Sequence, residues 1–192
     1  MKVNMPDILK HVVNYNYLIF LSITIDTCQG QRSKWTENQC KDSGSISMIK
    51  ISQSMTEDHR CIDQVFVEME RAITKSEWED AWLIADSFDE MMERHFSIEE
   101  DVLFPAIEDA TASASGPVRV MTMEHDQIRY LVNVLRTAIT EQSRDNGLSA
   151  SETLLMMIQQ HNSKEESVLY PMADRTVQTL EEEVSRRISE AS

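Results

Sequence analysis

Three cysteines in 192 residues set the first limits. Cys28, Cys40 and Cys61 are odd in number and show no C-x-x-C spacing. Neither a disulfide framework nor a thiolate zinc site is expected, and a reducing cytoplasm suits the chain. Glycine and proline are nearly as scarce, at four each. So little punctuation favours long helices over many short strands. Basic residues are also few, 18 against 33 acidic ones, for a net charge of −15. A phosphate backbone or an anionic lipid surface repels such a chain, which argues against nucleic-acid and membrane partners. No long apolar run is present either. Tyr17–Ile25 falls well short of the ~20 residues that cross a bilayer, and no A-x-A cleavage pattern follows it.

What is present divides the chain into three parts. Residues 1–47 read as a weakly structured, dispensable extension, with Met48 and Met55 just before the first clear helix. Residues 48–175 carry the core, and residues 176–192 form a charged, helical tail without site residues. Within the middle part, His59, Ile62, Phe66, Met69 and Ile73 recur at helical spacing behind a predicted capping box, Ser54 to Glu57. A break near Thr74 to Ser76 leads to a second helix, predicted to run to about Ala106, with Phe88, Met92, His95, Glu99 and Val102 on one stripe. Asp109 to Pro117 reads as a loop. The third helix then aligns Met121, His125, Ile128, Val132 and Leu135. Arg144 to Leu148 reads as a turn and Ser149 to Glu152 as a second capping box. The fourth helix aligns Leu154, Ile158, His161, Glu165 and Val168. Four long amphipathic helices with short connections predict an all-α, up-down-up-down four-helix bundle.

Two phrases repeat inside this pattern: HFSIEEDVLFPAIED from His95 and HNSKEESVLYPMADR from His161. The same shift of 66 residues carries His59 onto His125. Each half therefore holds one histidine and, on its next helix, a His-x-x-x-Glu pair, as expected of a duplicated helical hairpin. Positions four apart share a helix face, so His95 and Glu99 point one way, as do His161 and Glu165. All six residues lie on apolar stripes. Glu100 and Glu166, one step round the helix, are expected at the surface, and the Leu-Phe-Pro and Leu-Tyr-Pro ends read as helix terminators.

A lone histidine on an apolar face is more often a hydrogen-bonded core residue than a ligand. Six such groups together are a different matter, because an unpaired carboxylate in a dry core costs several kcal/mol or takes up a proton. A metal ion resolves this by neutralising the carboxylates and using the imidazole lone pairs. Four nitrogens and two carboxylates exceed one tetrahedral zinc. They suit two ions bridged by both carboxylates, each with two histidines, and a donor set without thiolate favours iron or manganese over copper.

His59, His95-x-x-x-Glu99, His125 and His161-x-x-x-Glu165, with E-E-x-x-L-[FY]-P after each pair, resemble the hemerythrin-like (HHE cation-binding) domain family over about residues 55–175. The resemblance implies a core di-iron site of two non-haem ions with an oxo or hydroxo bridge. Glu99 and Glu165 would bridge, His59 and His95 would serve one iron, and His125 and His161 the other. In the oxygen-carrying members a further histidine follows four residues after the one on the third helix; here that position is Arg129. The four-histidine set is instead similar to bacterial proteins that repair iron centres after nitrosative or oxidative stress. Dioxygen, nitric oxide or peroxide is then the expected small ligand, with an electron donor or an iron–sulfur client as protein partner. A sensor or iron-binding module without turnover is the alternative, and no separate catalytic acid, base or nucleophile is visible.

Overall fold

The computed structural model describes residues 50–190, and the expectations for residues 1–47 lie outside them. Among the described residues every regular element is helical. Helix α1 spans Ile51–Lys75 and α2 spans Trp78–Ile98; α2 continues through a π turn, Glu99–Leu103, into α3, Phe104–Ala110. Helix α4 spans Ser115–Thr140 and α5 spans Arg144–Lys164; a second π turn, Glu165–Leu169, leads into α6, Tyr170–Thr176. A final helix, α7, spans Glu181–Glu190. No helix of the described residues is long and apolar enough to cross a membrane.

Helix α1 packs against α2 and α5, and α4 packs against both as well, so these four enclose one helical bundle. Their apolar stripes meet in a first core that includes Phe66, Met69, Phe88, Leu135 and Leu154. A second apolar cluster joins the start of α1 and α4 to the π turns, α3, α6 and α7, through Ile51, Ile107, Met121, Ala173 and Val184. On each of the four long helices the predicted site residues fall at the junction of the two clusters. His59 lies between Met55 and Ile62, and His125 between Met121 and Ile128, so a polar layer is sealed by apolar packing on both sides.

The repeat extends to the backbone. Both hairpins turn through a left-handed residue, Ser76 at φ 59° and Gln142 at φ 54°. In each, the next amide reaches back across the turn, Glu77 N–H to the Ala72 carbonyl at 2.9 Å and Ser143 N–H to the Ala138 carbonyl at 3.0 Å. This is the closure that ends a helix and reverses the chain.

Several local expectations are corrected. Neither capping box forms, because α1 starts at Ile51 and α5 at Arg144, with no side-chain cap at either. Ile51 is fully buried, which draws the helix start upstream, and Asp174 on α6 takes over the cap by accepting from Ser52 N–H at 3.0 Å and Ser52 Oγ at 2.6 Å. The predicted turn at Arg144–Leu148 is the first turn of α5. There Gly147 lets α1 approach so closely that an added Cβ would meet Ile73 Cγ2 at 3.0 Å. The predicted loop before Pro117 is mostly helical, with Pro117 in the first turn of α4. Cys61 is disulfide-bonded although the cysteine spacing predicts no such bond, and Cys28 and Cys40 lie outside the described residues.

Candidate metal centre

The polar layer brings together all six residues singled out in the sequence. His59, His95, Glu99, His125, His161 and Glu165 are each no more than 4% exposed. They form two groups of donors able to hold a metal ion: His59, His95 and Glu165, and Glu99, His125, His161 and Glu165. Within the first, the two Nε2 atoms lie 3.0 Å apart. Two ligands at right angles, each about 2.0–2.1 Å from an ion, stand about 3 Å from one another. Glu165 belongs to both groups and Glu99 to the second. Glu165 Oε1 is 3.0 Å from His161 Nε2, and its Oε2 is 3.4 Å from His59 Nε2. Glu99 Oε2 is 3.2 Å from His125 Nε2 and 3.6 Å from His95 Nε2.

A metal-free cluster of this kind is held by charge pairing. Burial opposes the imidazolium at His59, but hydrogen bonds to Glu165 and Glu166 outweigh it and raise the pKa to about 10. His125 is raised to about 10 against the same penalty by Glu165 and Glu99. Glu165 is held well below the usual carboxylate range although burial opposes its charge, because His125, His161 and His59 surround it. The pairing is still incomplete. Glu99 Oε2 and His125 Nε2, and Glu165 Oε1 and His161 Nε2, face each other at 3.2 and 3.0 Å, yet none of these four buried atoms makes a well-formed hydrogen bond. Groups of this type are rarely left so in a folded interior, and here all four belong to one donor group.

Each imidazole is also gripped from behind. His95 Nδ1 donates to Asp58 Oδ2 at 2.8 Å and His161 Nδ1 to Glu124 Oε2 at 3.2 Å, within their own halves. The other two bonds cross between halves: His59 Nδ1 donates to Glu166 at 2.8 Å and His125 Nδ1 to Glu100 at 2.6 Å. Such bonds fix the ring so that the Nε2 lone pair faces the centre. Glu100 and Glu166 do lie toward the surface, 28% and 39% exposed, as the helical wheel predicts, yet each carboxylate also reaches an imidazole of the other half. Arg94 backs Asp58, Lys164 backs Glu124 and Arg129 backs Glu100. Arg129 thus holds Glu100 and also lies 4.9 Å over the Phe96 ring. Asp58→Asn or Glu100→Gln is expected to weaken metal affinity by about 10–100-fold while leaving the helical content unchanged. Titration with a competing chelator, alongside circular dichroism, checks this.

The sequence reading missed Tyr170 and the π turns. In each π turn the amide five residues after the glutamate bonds its carbonyl, Phe104 to Glu99 and Tyr170 to Glu165. In an α-helix a residue five positions on lies about 140° round the axis; the wider turn brings Tyr170 back over Glu165. The signal was Pro105 and Pro171. A proline has no N–H to give and crowds the carbonyl four residues earlier, so a rod that runs through it must shift register. The helices therefore do not end at these prolines. Tyr170 is fully buried, and its hydroxyl donates to Glu99 Oε1 at 2.7 Å. Burial and the adjacent Glu165 and Glu99 carboxylates push its pKa well above the usual phenol value.

The sequence matches the hemerythrin HHE cation binding domain over residues 50–173. It is also 32% identical over 96 residues to a protein of Salmonella schwarzengrund (strain CVM19633) described as iron-sulfur cluster repair protein YtfE. That similarity covers 44% of this chain and only 42% of the length of the relative. No solved structure matches the chain. The family match covers well over half of the sequence and coincides with the helices that carry the buried histidine–glutamate cluster, so the chain belongs to the hemerythrin HHE cation-binding domain family.

Proposed function

We propose that the chain is a cytoplasmic non-haem di-iron protein that binds or turns over dioxygen, nitric oxide or peroxide, in the repair of iron centres under oxidative or nitrosative stress. Residues 48–175 form its up-down-up-down four-helix bundle. His59 and His95 would hold one iron, His125 and His161 the other, with Glu99 and Glu165 as the carboxylates shared between them. One observation carries the reading: Glu99, His125, His161 and Glu165 are buried with donor atoms within 4.8 Å of one another, and each keeps an atom without a well-formed hydrogen bond. Bound irons supply Lewis-acid and redox chemistry. The chain supplies the rest. Its two apolar clusters keep bulk water from the polar layer, and the outer carboxylates aim the imidazoles. A polar groove of about 410 Å³ lined by Asp63, Asn162, Ser163 and Glu166 brings solvent up to the carboxylate that holds His59.

The repair role and an iron–sulfur client are taken over from the printed description of the Salmonella relative. A sensor or iron-binding module without turnover is the second reading. It is favoured by the fact that the titratable groups gathered at the centre are ligands or hydrogen-bonded to ligands, which leaves no separate acid or base. Anaerobic reconstitution with ferrous iron is expected to give two irons per chain; far less than two overturns the di-iron reading. Stopped-flow mixing of the loaded protein with nitric oxide or peroxide then separates the two functions. Multiple turnovers with a supplied reductant support the enzyme, and a single binding step supports the sensor.

A further inference from the structure

The two halves of the centre are not equivalent, and one difference is a single oxygen atom beside the donors. The 66-residue shift that superposes the halves carries Phe104 onto Tyr170. Each ring follows a π turn and meets the lone histidine of the other half. Tyr170 lies 5.6 Å from the His59 ring and Phe104 lies 5.7 Å from the His125 ring. The placement is therefore shared, and only the hydroxyl is not.

That hydroxyl stands among ligands. Tyr170 Oη is 3.1 Å from His59 Nε2 and 3.3 Å from His95 Nε2. It is 2.7 Å from Glu99 Oε1 and 3.2 Å from Glu165 Oε2. With the two Nε2 atoms 3.0 Å apart, these separations match the edges of a coordination shell whose bonds are about 2.0–2.2 Å long. We propose that Tyr170 is itself a metal ligand, a phenolate donor to the ion held by His59 and His95, and that the ion held by His125 and His161 has no such ligand because Phe104 stands in its place. The assignment rests on the di-iron reading above and deepens it. When the ligand bond forms, the phenol O–H bond breaks, its proton passes to solvent and no electrons change hands. One ion is thereby closed by protein and the other keeps the position at which a small molecule binds. The unpartnered atoms fit this division. The two imidazole nitrogens among them, His125 Nε2 and His161 Nε2, belong to the ion without the tyrosine, whereas Nε2 of His59 and of His95 each have the Tyr170 hydroxyl within hydrogen-bonding distance.

A ferric ion bound by phenolate absorbs in the visible, and excitation in that band enhances tyrosine ring vibrations. Full-length protein is loaded with iron, oxidised, and examined by metal analysis and resonance Raman spectroscopy, as wild type and as Tyr170→Phe. The expected result is enhanced ring modes in the wild type that shift when the tyrosines are ring-deuterated. Tyr170→Phe should lose the modes and the band, with iron affinity lowered at least about tenfold. A wild type with two irons but no enhanced ring modes overturns the ligand assignment and leaves the di-iron reading standing; so does a Tyr170→Phe spectrum identical to wild type. A wild type that takes up no iron overturns both. The wild-type measurement decides even where the variant does not fold.

Discussion

Glu165→Gln is expected to reduce the metal content of the reconstituted protein from two ions per chain to one at most. The substitution keeps the volume and shape of a side chain that is fully buried, so the packing around it is retained. What is lost is the charge and the ability to offer one oxygen to each ion. Glu165 faces His161 with one oxygen and His59 with the other. An amide supplies a single weak oxygen and an N–H that repels a cation. Glu152→Gln, on the exposed face of α5, is the control and should bind as the wild type does. Iron or manganese content measured after desalting checks the result, and two ions per chain in Glu165→Gln would refute bridging by this residue.

Metal loading should also be the largest single contribution to the stability of the fold. A ligand present at about 1,000 times its dissociation constant stabilises by roughly 4 kcal/mol. For a unit of about 150 residues this raises Tm by about 8–16 °C. Calorimetry with and without iron reads the shift directly, and an unchanged Tm would place the metal outside the fold. The pH dependence has a definite sign. In the metal-free protein His59 and His125 have pKa values of about 10 against an ordinary value of 6.5. Their charged pairing therefore contributes stability that is fully present below about pH 6.5 and is lost as the pH rises through about 10. Metal binding requires the neutral rings, so loading at pH 7 expels a proton from each of the two, and affinity climbs with pH across the same window. Metal-free and loaded forms should thus diverge in stability as the pH is raised.

The bundle and the six central residues were legible because both depend on local spacing. Apolar residues every three or four positions bury one face of a helix whatever packs against it. A histidine and a glutamate four apart share that face, and the 66-residue repeat puts an equivalent set on each hairpin, which antiparallel packing can bring to one depth. The helix boundaries were read less well. Ser54 and Glu57 have the form of a capping box, yet the burial of Ile51 and the distant carboxylate of Asp174 moved the start of α1 upstream. Ser76 lies in the break expected near Thr74 to Ser76, whereas the second hairpin turns at Gln142, ahead of the turn expected at Arg144 to Leu148; neither residue is glycine or asparagine.

Periodicity along single helices is enough to specify an all-helical chain, a duplicated hairpin and a set of imidazoles and carboxylates on buried faces. Which groups hold those imidazoles in place depends on how the helices pack, and the fold settles it. Glu166 meets His59 across 107 residues and Glu100 meets His125 across 25, contacts that no helical wheel contains. It also decided what Tyr170 touches. Read as sequence, Phe104 and Tyr170 are two aromatic residues before a proline. The π turn rotates both rings onto the polar layer, and there a single hydroxyl makes the two halves chemically different. Spacing along one helix fixes which side chains share a face, whereas the partner a side chain meets depends on which helix packs opposite it.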